Sequence, residues 1–324
     1  MIRIAVIGAG GMAAQRAGIF ASLPSCRVVC VSSRNLAKAK TLADAVGAKA
    51  TDDYARVLPE ADALVLCVPN HLHFRLAREA LAAGKHVLVE YPLCITSDEA
   101  DGLRRAAGES GKVLMVGNTI RHEAPFRYLE RRRDRLGTIL SAGSRVAFYH
   151  ENLDRGWYLD PAQTGPVFGA FHYHHIEYYR FFLGEAQWVL ARDESRPGSA
   201  SAPLLTAGGT LVMGHAGGAT SCTQWYLSAV GDGLARVMSL TGTHGSVTVL
   251  SEEKGKSRAV WAIGEEGEVE TFDDDWGVGG SCEEFLDAVA GKFDHRERFE
   301  SDMRTLTLAF AADLSARRGE VVPV

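Results

Sequence analysis

The feature that most constrains the fold is an apolar run at the start of the sequence that leads directly into closely spaced glycines. The run Arg3–Ile7 is followed by Gly8-x-Gly10-x-x-Ala13, which has the spacing G-x-G-x-x-G/A. In such a turn the first glycine permits a tight bend, the second lets the backbone approach a pyrophosphate, and the small third residue keeps the helix close to the strand. The amino end of the helix then offers free N–H groups and partial positive charge to phosphates. The sequence therefore predicts a strand–turn–helix unit that binds a dinucleotide. The contact residues predicted here are Gly8, Gly10, Gly11, Met12 and Ala13.

Strand-like and helix-like segments alternate through the first 120 residues. Continuous apolar runs such as Ala63–Val68 are typical of parallel strands covered on both faces, and segments with helical spacing such as His73–Ala83 follow them. After about residue 120 the strand-like runs alternate apolar with polar residues, and one helix, Val167–Phe182, interrupts them. We therefore predict an α/β protein with two domains. Residues 1–120 would form a Rossmann doubly wound parallel sheet that binds NAD(P). Residues 121–324 would form an α/β domain with a large, mostly antiparallel open sheet for substrate binding and oligomerisation.

The composition narrows the class of protein. A net charge of −5 over 324 residues argues against general nucleic-acid binding, which needs a strongly basic face. The six cysteines are scattered without the spacing of metal ligands, and we interpret them as reduced core thiols with no metal site. No apolar stretch approaches the roughly 20 residues of a membrane span. The expectation is a cytoplasmic protein that acts on a small-molecule substrate, with neither nucleic acid nor membrane as partner.

The end of the second strand bears on the choice of cofactor. Sites that prefer NAD place Asp or Glu there to hold the ribose 2′-hydroxyl, whereas NADP sites accept a cation near the 2′-phosphate. This strand ends in Ser33 and Arg34, and Lys38 follows. Ser33 can donate one hydrogen bond and Arg34 a bidentate pair to a phosphate, although a cation at a strand end is also typical of a solvated surface. The sequence favours NADP(H) as cofactor, with NAD(H) as the alternative.

Three sequence blocks and one helix carry a family resemblance. They are Gly8–Ala13, Cys67–His73, Ala83–Pro92 and the helix around His174. In this order they resemble the Gfo/Idh/MocA family, the glucose–fructose oxidoreductase and inositol dehydrogenase type. The resemblance implies a Rossmann domain followed by an α/β domain with a large open sheet, assembled as a homodimer or homotetramer. It also implies the positions of four further cofactor residues: Pro69, Asn70 and His73 along the cofactor, and Glu90 near the nicotinamide ribose.

Two positions depart from the family pattern. Where the family usually has Glu-Lys-Pro, this chain has Glu90-Tyr91-Pro92. Where the family usually has Asp four residues before the histidine of the inserted helix, Ala170 precedes His174. The Glu-Tyr-Pro form resembles the biliverdin reductases of the same superfamily, the bacterial ones most closely, whereas the segment Gly117–Arg121 looks more like the sugar-type members.

These departures decide which groups can move a proton. A phenol titrates near 10, so Tyr91 is a hydrogen donor at neutral pH and suits a reduction, in which hydride addition must be matched by a proton. His174 and Glu177 lie three residues apart on a predicted helix, where the carboxylate could orient the ring. We therefore predict Tyr91, His174 and Glu90 as catalytic residues. The predicted substrate-binding residues are Asn118, Arg121 and Glu177.

Several functions stay open at this point. An NAD(P)-dependent reductase with Tyr91 as proton donor would act on a bilin-like or other conjugated or carbonyl substrate. A sugar or inositol dehydrogenase would use His174 as its base. The usual lysine and aspartate are missing, so an NAD-dependent glycosidase that recycles its cofactor and an NADP(H) sensor without turnover are also compatible with the sequence.

Overall fold

The computed structural model describes residues 1–150, 157–198, 204–228, 232–252, 255–263 and 267–324. The chain divides into two compact units. The first comprises Met1–Asn118 and Val278–Met303, and the second comprises Thr119–Gly277 and Arg304–Val324. The predicted boundary after residue 120 lies close to the first crossing between them. The prediction assigned residues 278–303 to the second domain, whereas the structure places them in the first unit. These residues come late in the sequence, and the sequence does not show that they pack on the first sheet.

The described strands in chain order are β1 (Ile2–Ile7), β2 (Cys26–Ser32), β3 (Lys49–Thr51), β4 (Ala63–Leu66), β5 (His86–Val89), β6 (Leu114–Val116), β7 (Ile139–His150), β8 (Ala186–Asp193), β9 (Arg196–Pro197), β10 (Leu204–His215), β11 (Thr220–Ser228), β12 (Asp232–Gly242), β13 (Gly245–Glu252), β14 (Lys256–Ala262), β15 (Gly267–Asp273) and β16 (Val322–Pro323).

The described α-helices are α1 (Gly11–Ser22), α2 (Leu36–Val46), α3 (His73–Ala82), α4 (Ser97–Ser110), α5 (Ala124–Glu130), α6 (Pro161–Thr164), α7 (Val167–Phe171), α8 (Tyr173–Leu183), α9 (Val278–Val289) and α10 (His295–Arg318). Short 3-10 helices occur at Tyr54–Arg56, Asn70–Leu72, Ile120–His122 and Arg133–Leu136.

The first unit contains the predicted doubly wound sheet. Its six parallel strands run in the order β3-β2-β1-β4-β5-β6, which is the order of dinucleotide-binding sheets. All four residues of β4 are buried, as expected for a strand covered on both faces. The fold-class prediction is confirmed for this unit. The sequence did not reveal β3, because three residues with a lysine among them carry too little pattern.

Helix α9 completes the core of the first unit. Phe285 is 0% exposed, and its ring lies 6.5 Å from the ring of Phe20 on α1. Cys282 and Leu286, one turn apart on the same face, join this core. Helical spacing reveals the apolar face of α9, but spacing alone does not say which sheet that face covers.

The second unit is built on a mostly antiparallel sheet, as predicted. Its strands run in the order β15-β14-β13-β12-β7-β11-β10-β8-β16, with β9 paired to β10. All of these pairs are antiparallel except β7 with β11. Burial alternates along β14, where Ser257, Ala259 and Trp261 are buried and the residues between them are exposed. Such alternation means that one face of the sheet is covered and the other is open.

The cysteines and helices bear on two further expectations. All six cysteines are free, and Cys222 on β11 is exposed, so the prediction that the thiols lie in the core is wrong for this residue. Its strand is covered on one face only, which the sequence around Cys222 did not show.

None of the described helices combines the length and the apolar composition needed to cross a bilayer.

The helix predicted at Val167–Phe182 is in fact two helices that meet at His172. The backbone of His172 has φ −96° and ψ −7°, and it ends α7 and begins α8. The apolar spacing continues through the break, which is why periodicity did not reveal it. At the start of α7, the N–H of Phe168 donates to Oδ1 of Asp313 at 3.3 Å.

Asp313 makes the stability of the second unit depend on pH. The side chain is 7% exposed, and its Oδ2 has no hydrogen-bond partner within the described residues. Burial raises the pKa of this carboxyl from its ordinary 3.8 to about 7, although the Phe168 N–H and Arg317 lower it. The folded state therefore holds this proton more tightly than the unfolded state, so the contribution of Asp313 to stability is fully present below about pH 4 and is lost as pH rises through about 7.

We expect Asp313→Asn to stabilise the protein more at pH 8 than at pH 5, by about 2 kcal/mol. The amide keeps an oxygen for the Phe168 N–H and removes the cost of ionisation. Urea unfolding at both pH values measures this difference, with Asp44→Asn on the exposed face of α2 as the matched substitution. Equal gains at the two pH values would contradict the expected titration of Asp313.

Candidate functional site

The carboxyl ends of the central strands are linked at one edge of the first unit's sheet. The N–H of Cys67, just after β4, donates to the carbonyl of Ile7 at 2.8 Å. The N–H of Glu90, just after β5, donates to the carbonyl of Leu66 at 3.0 Å. Ligands of open α/β sheets bind outside this edge, and the predicted cofactor residues all belong to segments that begin there.

The backbone geometry around Gly8 requires a glycine at this position. Its φ is +124°, and a Cβ at this position would lie 2.0 Å from the carbonyl oxygen of Cys67. No side chain fits such an approach, so the tight turn predicted after β1 is present and its glycine has a steric cause.

Across the described ranges, no steric contact within the protein requires a glycine at position 10 or 11. Gly10 has φ −90° and ψ −173°, an extended geometry open to any residue. Apart from the adjoining backbone, no atom of the described residues lies within 4 Å of the place where a Cβ of Gly10 or Gly11 would stand, and both are exposed. Packing therefore leaves two successive glycines unexplained, whereas a ligand lying against the backbone explains both.

The amino end of α1 is suited to an anion. Within the described residues no side chain caps it, and its first turn carries no acid. The first bond within the helix runs from the N–H of Ala14 to the carbonyl of Gly10 at 3.0 Å. The N–H groups of Gly11, Met12 and Ala13 therefore have no partner in the helix and add to its positive end. This cradle fits the pyrophosphate of a dinucleotide.

Ser33, Arg34 and Lys38 stand at the carboxyl end of β2 and the start of α2. Arg34 and Lys38 are exposed, and neither forms an ion pair within the part of the chain that the structure describes. The Ser33 Oγ accepts a hydrogen bond from the N–H of Asn35 at 3.3 Å. Two uncommitted cations beside a hydroxyl suit a 2′-phosphate.

Two carboxylates that the sequence did not place there follow the neighbouring strand. The N–H of Ser33 donates to the carbonyl of Thr51 at 3.1 Å, and Asp52 and Asp53 come directly after Thr51. Asp53 is occupied, because it accepts from the N–H of Ala55 at 3.0 Å and pairs with an arginine. The carboxylate of Asp52 is the structural feature that favours NAD over NADP as the cofactor.

The ring of His73 contacts backbone carbonyls, which differs from the cofactor contact predicted for it. Its ring is 0% exposed, with Nδ1 2.8 Å from the carbonyl of Pro92 and Nε2 2.9 Å from that of Val68. Burial lowers the pKa of His73, although the two carbonyls raise it. The ring ties the loop after β4 to the loop after β5 and has no polar atom left for a ligand. Pro69 and Asn70 lie on the loop after β4, and their contact with a cofactor stays a prediction.

Glu90 lies in a buried ion pair with Arg16. The Arg16 Nε donates to Oε1 of Glu90, and the two side chains are 0% and 11% exposed. Burial lowers the pKa of Arg16, but Glu90, Cys282 and Cys67 together raise it by more, so the guanidinium stays charged. A carboxylate held in this way suits the binding of a hydroxyl donor better than the exchange of protons. The geometry therefore supports the cofactor role predicted for Glu90 more than its catalytic role.

Tyr91 stands between two fixed residues. On one side Arg16 holds Glu90. On the other, the buried Pro92 carbonyl contacts His73, and the Tyr91–Pro92 peptide is cis. Tyr91 itself is half-buried. The structure thus gives the predicted proton donor an anchored position at the carboxyl edge of the sheet.

Arg16 is a buried residue in contact with the candidate site that the sequence analysis missed. It stands on α1 beside Ala13, Ala17 and Phe20, all of them 0% exposed. The signal was present, because helical spacing puts position 16 on the covered face and a buried arginine requires partners. Its partners on α9 could not be found from the sequence.

The three predicted substrate residues lie in two different units. Asn118 ends a segment of the first unit, is 0% exposed, and donates through Nδ2 to Asp302 at 3.4 Å. Arg121 and Glu177 belong to the second unit. Their substrate contacts stay predictions, and the position of Asn118 favours a structural role.

Glu177 anchors Arg121 inside the second unit. The carboxylate is 0% exposed and accepts from Arg121, from Arg180 Nη1 at 3.0 Å and from Thr305 Oγ1 at 2.6 Å. The Arg121 side chain is 33% exposed. Of the two predicted residues, Arg121 is therefore the accessible one, and Glu177 fixes its guanidinium.

His174 is the accessible histidine of the run at the start of α8. His172 and His175 are buried, and burial lowers the pKa of both, to about 3 for His175. They are neutral at physiological pH. His174 is only partly buried, as its predicted role requires. Among the described residues no set of three or more His, Cys, Asp or Glu side chains is placed to hold a metal.

The first unit also has a groove away from these residues. Its volume is about 820 Å³, and its lining includes Lys112, Leu114, Phe293 and His295. Leu114 is the first residue of β6, so the groove opens at the amino end of that strand. It contains none of the predicted site residues, so the site is identified by its chemistry and not by cavity size.

Comparison with known sequences agrees with this geometry. Residues 2–118 match the Gfo/Idh/MocA model, described as an oxidoreductase family with an NAD-binding Rossmann fold. The 4-carboxy-2-hydroxymuconate-6-semialdehyde dehydrogenase of Sphingobium sp. is 33% identical over 131 residues, 40% of this chain and 42% of that protein. The dTDP-3,4-didehydro-2,6-dideoxy-alpha-D-glucose 3-reductase of Streptomyces antibioticus is 36% identical over 126 residues, 38% of each chain. These alignments span less than half the length of the curated relatives.

Solved structures share the fold of almost the whole chain. The biliverdin reductase of Synechocystis sp. PCC 6803, crystallised with biliverdin and NADP+, has a TM-score of 0.85 and 22% identity, with 98% of each chain covered. GenD2 from gentamicin A biosynthesis, in complex with NAD, has a TM-score of 0.83 and 25% identity, covering 100% of this chain and 96% of that one. The fold-class prediction is thus confirmed for both units. Residues 2–118, which form the parallel sheet of the first unit, are thus similar to the NAD-binding Rossmann domain of the Gfo/Idh/MocA oxidoreductase family.

Proposed function

We propose that this protein is an NAD(P)-dependent oxidoreductase, a reductase in which Tyr91 donates the proton. The observation that carries the proposal is the pair Gly10 and Gly11, which packing leaves unexplained at the uncapped end of α1. The family match of residues 2–118 supports it. A bound nicotinamide dinucleotide would supply the hydride.

Residues at the carboxyl edge of the first sheet bind the cofactor and supply the proton. The N–H groups of Gly11, Met12 and Ala13 hold the pyrophosphate. Glu90, fixed by Arg16, accepts a hydrogen bond from a hydroxyl of the cofactor. The O–H of Tyr91 gives its proton to the substrate oxygen, nitrogen or carbon that gains negative charge as the double bond is reduced, and water then restores the phenol.

A bilin or another conjugated or carbonyl compound is the proposed substrate class. The tyrosine in place of the family's lysine supports it, as does the likeness of the whole fold to a biliverdin reductase. The test is the loss of NADPH absorbance when biliverdin, simple carbonyl compounds, imines or 3-keto sugars are added. Tight binding of NADPH with no turnover of any of them would instead support a sensor without turnover.

A sugar dehydrogenase or sugar ketone reductase that uses His174 is the second candidate. It is favoured by the partial exposure of His174 beside two buried histidines, and by the likeness to a dTDP-sugar 3-reductase. Oxidation of polyols with NADP+ or NAD+, lost in His174→Ala and retained in Tyr91→Phe, would establish it. Release of sugar from glycosides without net change of the dinucleotide would point to a glycosidase.

We further propose that NADPH is preferred over NADH. Arg34 and Lys38 are exposed and, within the described residues, without ion pairs, so their charges are available for a 2′-phosphate. Asp52 weakens this preference without reversing it, because Arg34 and Lys38 supply two positive charges against the single negative charge of Asp52.

For Arg34→Ala we expect NADPH to bind about tenfold or more weakly, with NADH binding changed less than about threefold. The loss is specific because only NADPH carries the phosphate that a guanidinium can chelate. Titration of each dinucleotide by fluorescence measures both affinities. Arg56→Ala, an exposed arginine on the 3-10 helix after β3, is the matched control and should change neither affinity. Equal weakening of both dinucleotides in Arg34→Ala would refute the assignment of the 2′-phosphate to this residue.

A further inference from the structure

Arg16 joins four elements of the first unit through one fully buried guanidinium. The residue itself stands on α1, and its Nε donates to Glu90 after β5. Its Nη2 donates to the carbonyl of Gly117 after β6 at 3.2 Å. Its Nη1 lies 3.0 Å from Ser281 Oγ and 3.4 Å from Cys282 Sγ, both on α9. All three nitrogens of the guanidinium are therefore engaged, and its position is fixed from every side.

The carboxylate of Glu90 is occupied on one side only. Oε1 accepts from Arg16, whereas Oε2 forms no hydrogen bond within the described residues, and the side chain is 11% exposed. Gly117 makes room for this pair, because a Cβ there would lie 2.4 Å from Arg16 Nη2 and 3.3 Å from Glu90 Oε2. The site thus keeps one acceptor oxygen of a rigidly held carboxylate available.

Stability alone does not explain this arrangement. Two buried charges lose their hydration, and an apolar pair of the same volume is often as stable or more so. Here the geometry of the pair leaves an open acceptor next to the residue proposed to donate the proton.

We propose that Arg16, held in place by Ser281 and Cys282 of α9, is a positioning residue that fixes the side chain of Glu90 and keeps Oε2 as the acceptor for a hydroxyl of the bound dinucleotide. This inference rests on the proposed function for the identity of that ligand. Helix α9 then takes part in dinucleotide binding through Arg16 and Glu90 alone.

The test compares two buried arginines. Arg16→Met removes the partner of Glu90, and Arg236→Met does the same to Glu123 in the second unit, where both side chains are equally buried at 5% and 4%. The dissociation constant of NADPH is measured by fluorescence from pH 6 to pH 9. We expect Arg16→Met to bind NADPH at least about tenfold more weakly at pH 7. The wild type and Arg236→Met should stay within about twofold of each other throughout.

Two milder variants keep the proposal testable if Arg16→Met does not fold. Ser281→Ala leaves both charges in place and removes only one hydrogen bond of the Arg16 guanidinium. Arg16→Lys keeps the positive charge but lacks the planar guanidinium with its several donors. We expect each to weaken the binding of NADPH about threefold or more.

A spectroscopic measurement on the protein without dinucleotide is independent of binding. The infrared difference between Arg16→Lys and Arg16→Lys/Glu90→Gln should place the Glu90 carboxylate band at a different frequency from the difference between wild type and Glu90→Gln, because a lysine cannot hold Oε1 as the planar guanidinium does. Failure of the wild type to bind either dinucleotide would overturn the proposed function. Binding by the wild type, with unchanged NADPH affinity in every Arg16 and Ser281 variant that folds, would overturn this inference alone.

Discussion

Gly10→Ala should leave the fold intact and weaken dinucleotide binding at least about tenfold. The backbone at Gly10 is extended, and no described atom lies within 4 Å of the new methyl group, so folding meets no obstacle. The free energy of unfolding should stay within about 0.5 kcal/mol of the wild type, or rise slightly because alanine restricts the unfolded chain. The methyl group instead stands where a pyrophosphate must approach. Urea unfolding and NADPH titration by fluorescence together measure the two effects.

Gly8→Ala is the matched control, with the opposite result. The same methyl group would stand 2.0 Å from the Cys67 carbonyl oxygen, at a φ of +124°. We expect a loss of about 3 kcal/mol or more in the free energy of unfolding. If Gly10→Ala bound NADPH as the wild type does, the diphosphate would not lie at the amino end of α1.

Tyr91→Phe should lower turnover by about 100-fold or more while the dissociation constant of NADPH changes less than about twofold. The substitution removes one O–H and little volume. A hydride acceptor that receives no proton is a poor product, so the reduction slows at the step where charge develops. Single-turnover kinetics with saturating NADPH measure this step apart from product release.

Tyr54→Phe is the matched control for that experiment. Tyr54 belongs to the same unit and donates its O–H to the carbonyl of Leu76 at 2.9 Å. Its substitution should cost some stability and leave the turnover of the folded enzyme unchanged. Turnover by Tyr91→Phe at the rate of Tyr54→Phe would remove Tyr91 from the mechanism and direct attention to His174.

Much of the first unit could be predicted from local chemistry. The segment with helical spacing at His73–Ala83 is observed as α3, His73–Ala82, and the signals that bound a helix are equally plain at α4. For α4 the reasons are visible in the sequence: Thr96 caps its start by accepting from a backbone N–H, and Gly111 ends it in the left-handed conformation. The glycine turn was found for the same reason, because a strand, a turn and a helix follow one another without a gap.

Contacts between distant segments could not be predicted in this way. Arg16 and Ser281 are separated by 265 residues, and no local pattern encodes their hydrogen bond. His73 was placed along the cofactor because it belongs to a family motif, whereas its ring nitrogens face two backbone carbonyls. In both cases the type of residue indicated importance correctly, and only the three-dimensional structure showed which atom it serves.

The discontinuous first unit affects how the chain can be synthesised. Phe285, Cys282 and Leu286 of α9 belong to the core of this unit, so the ribosome must translate almost the entire protein before that core can close. Until then the apolar side of α1 around Phe20 is uncovered on the nascent chain and prone to aggregation. A chaperone that binds apolar segments would protect it during this interval. A gene shortened to end near codon 118 would encode a sheet lacking one covering helix, so the nucleotide-binding half is not a module that can be transplanted by simple truncation.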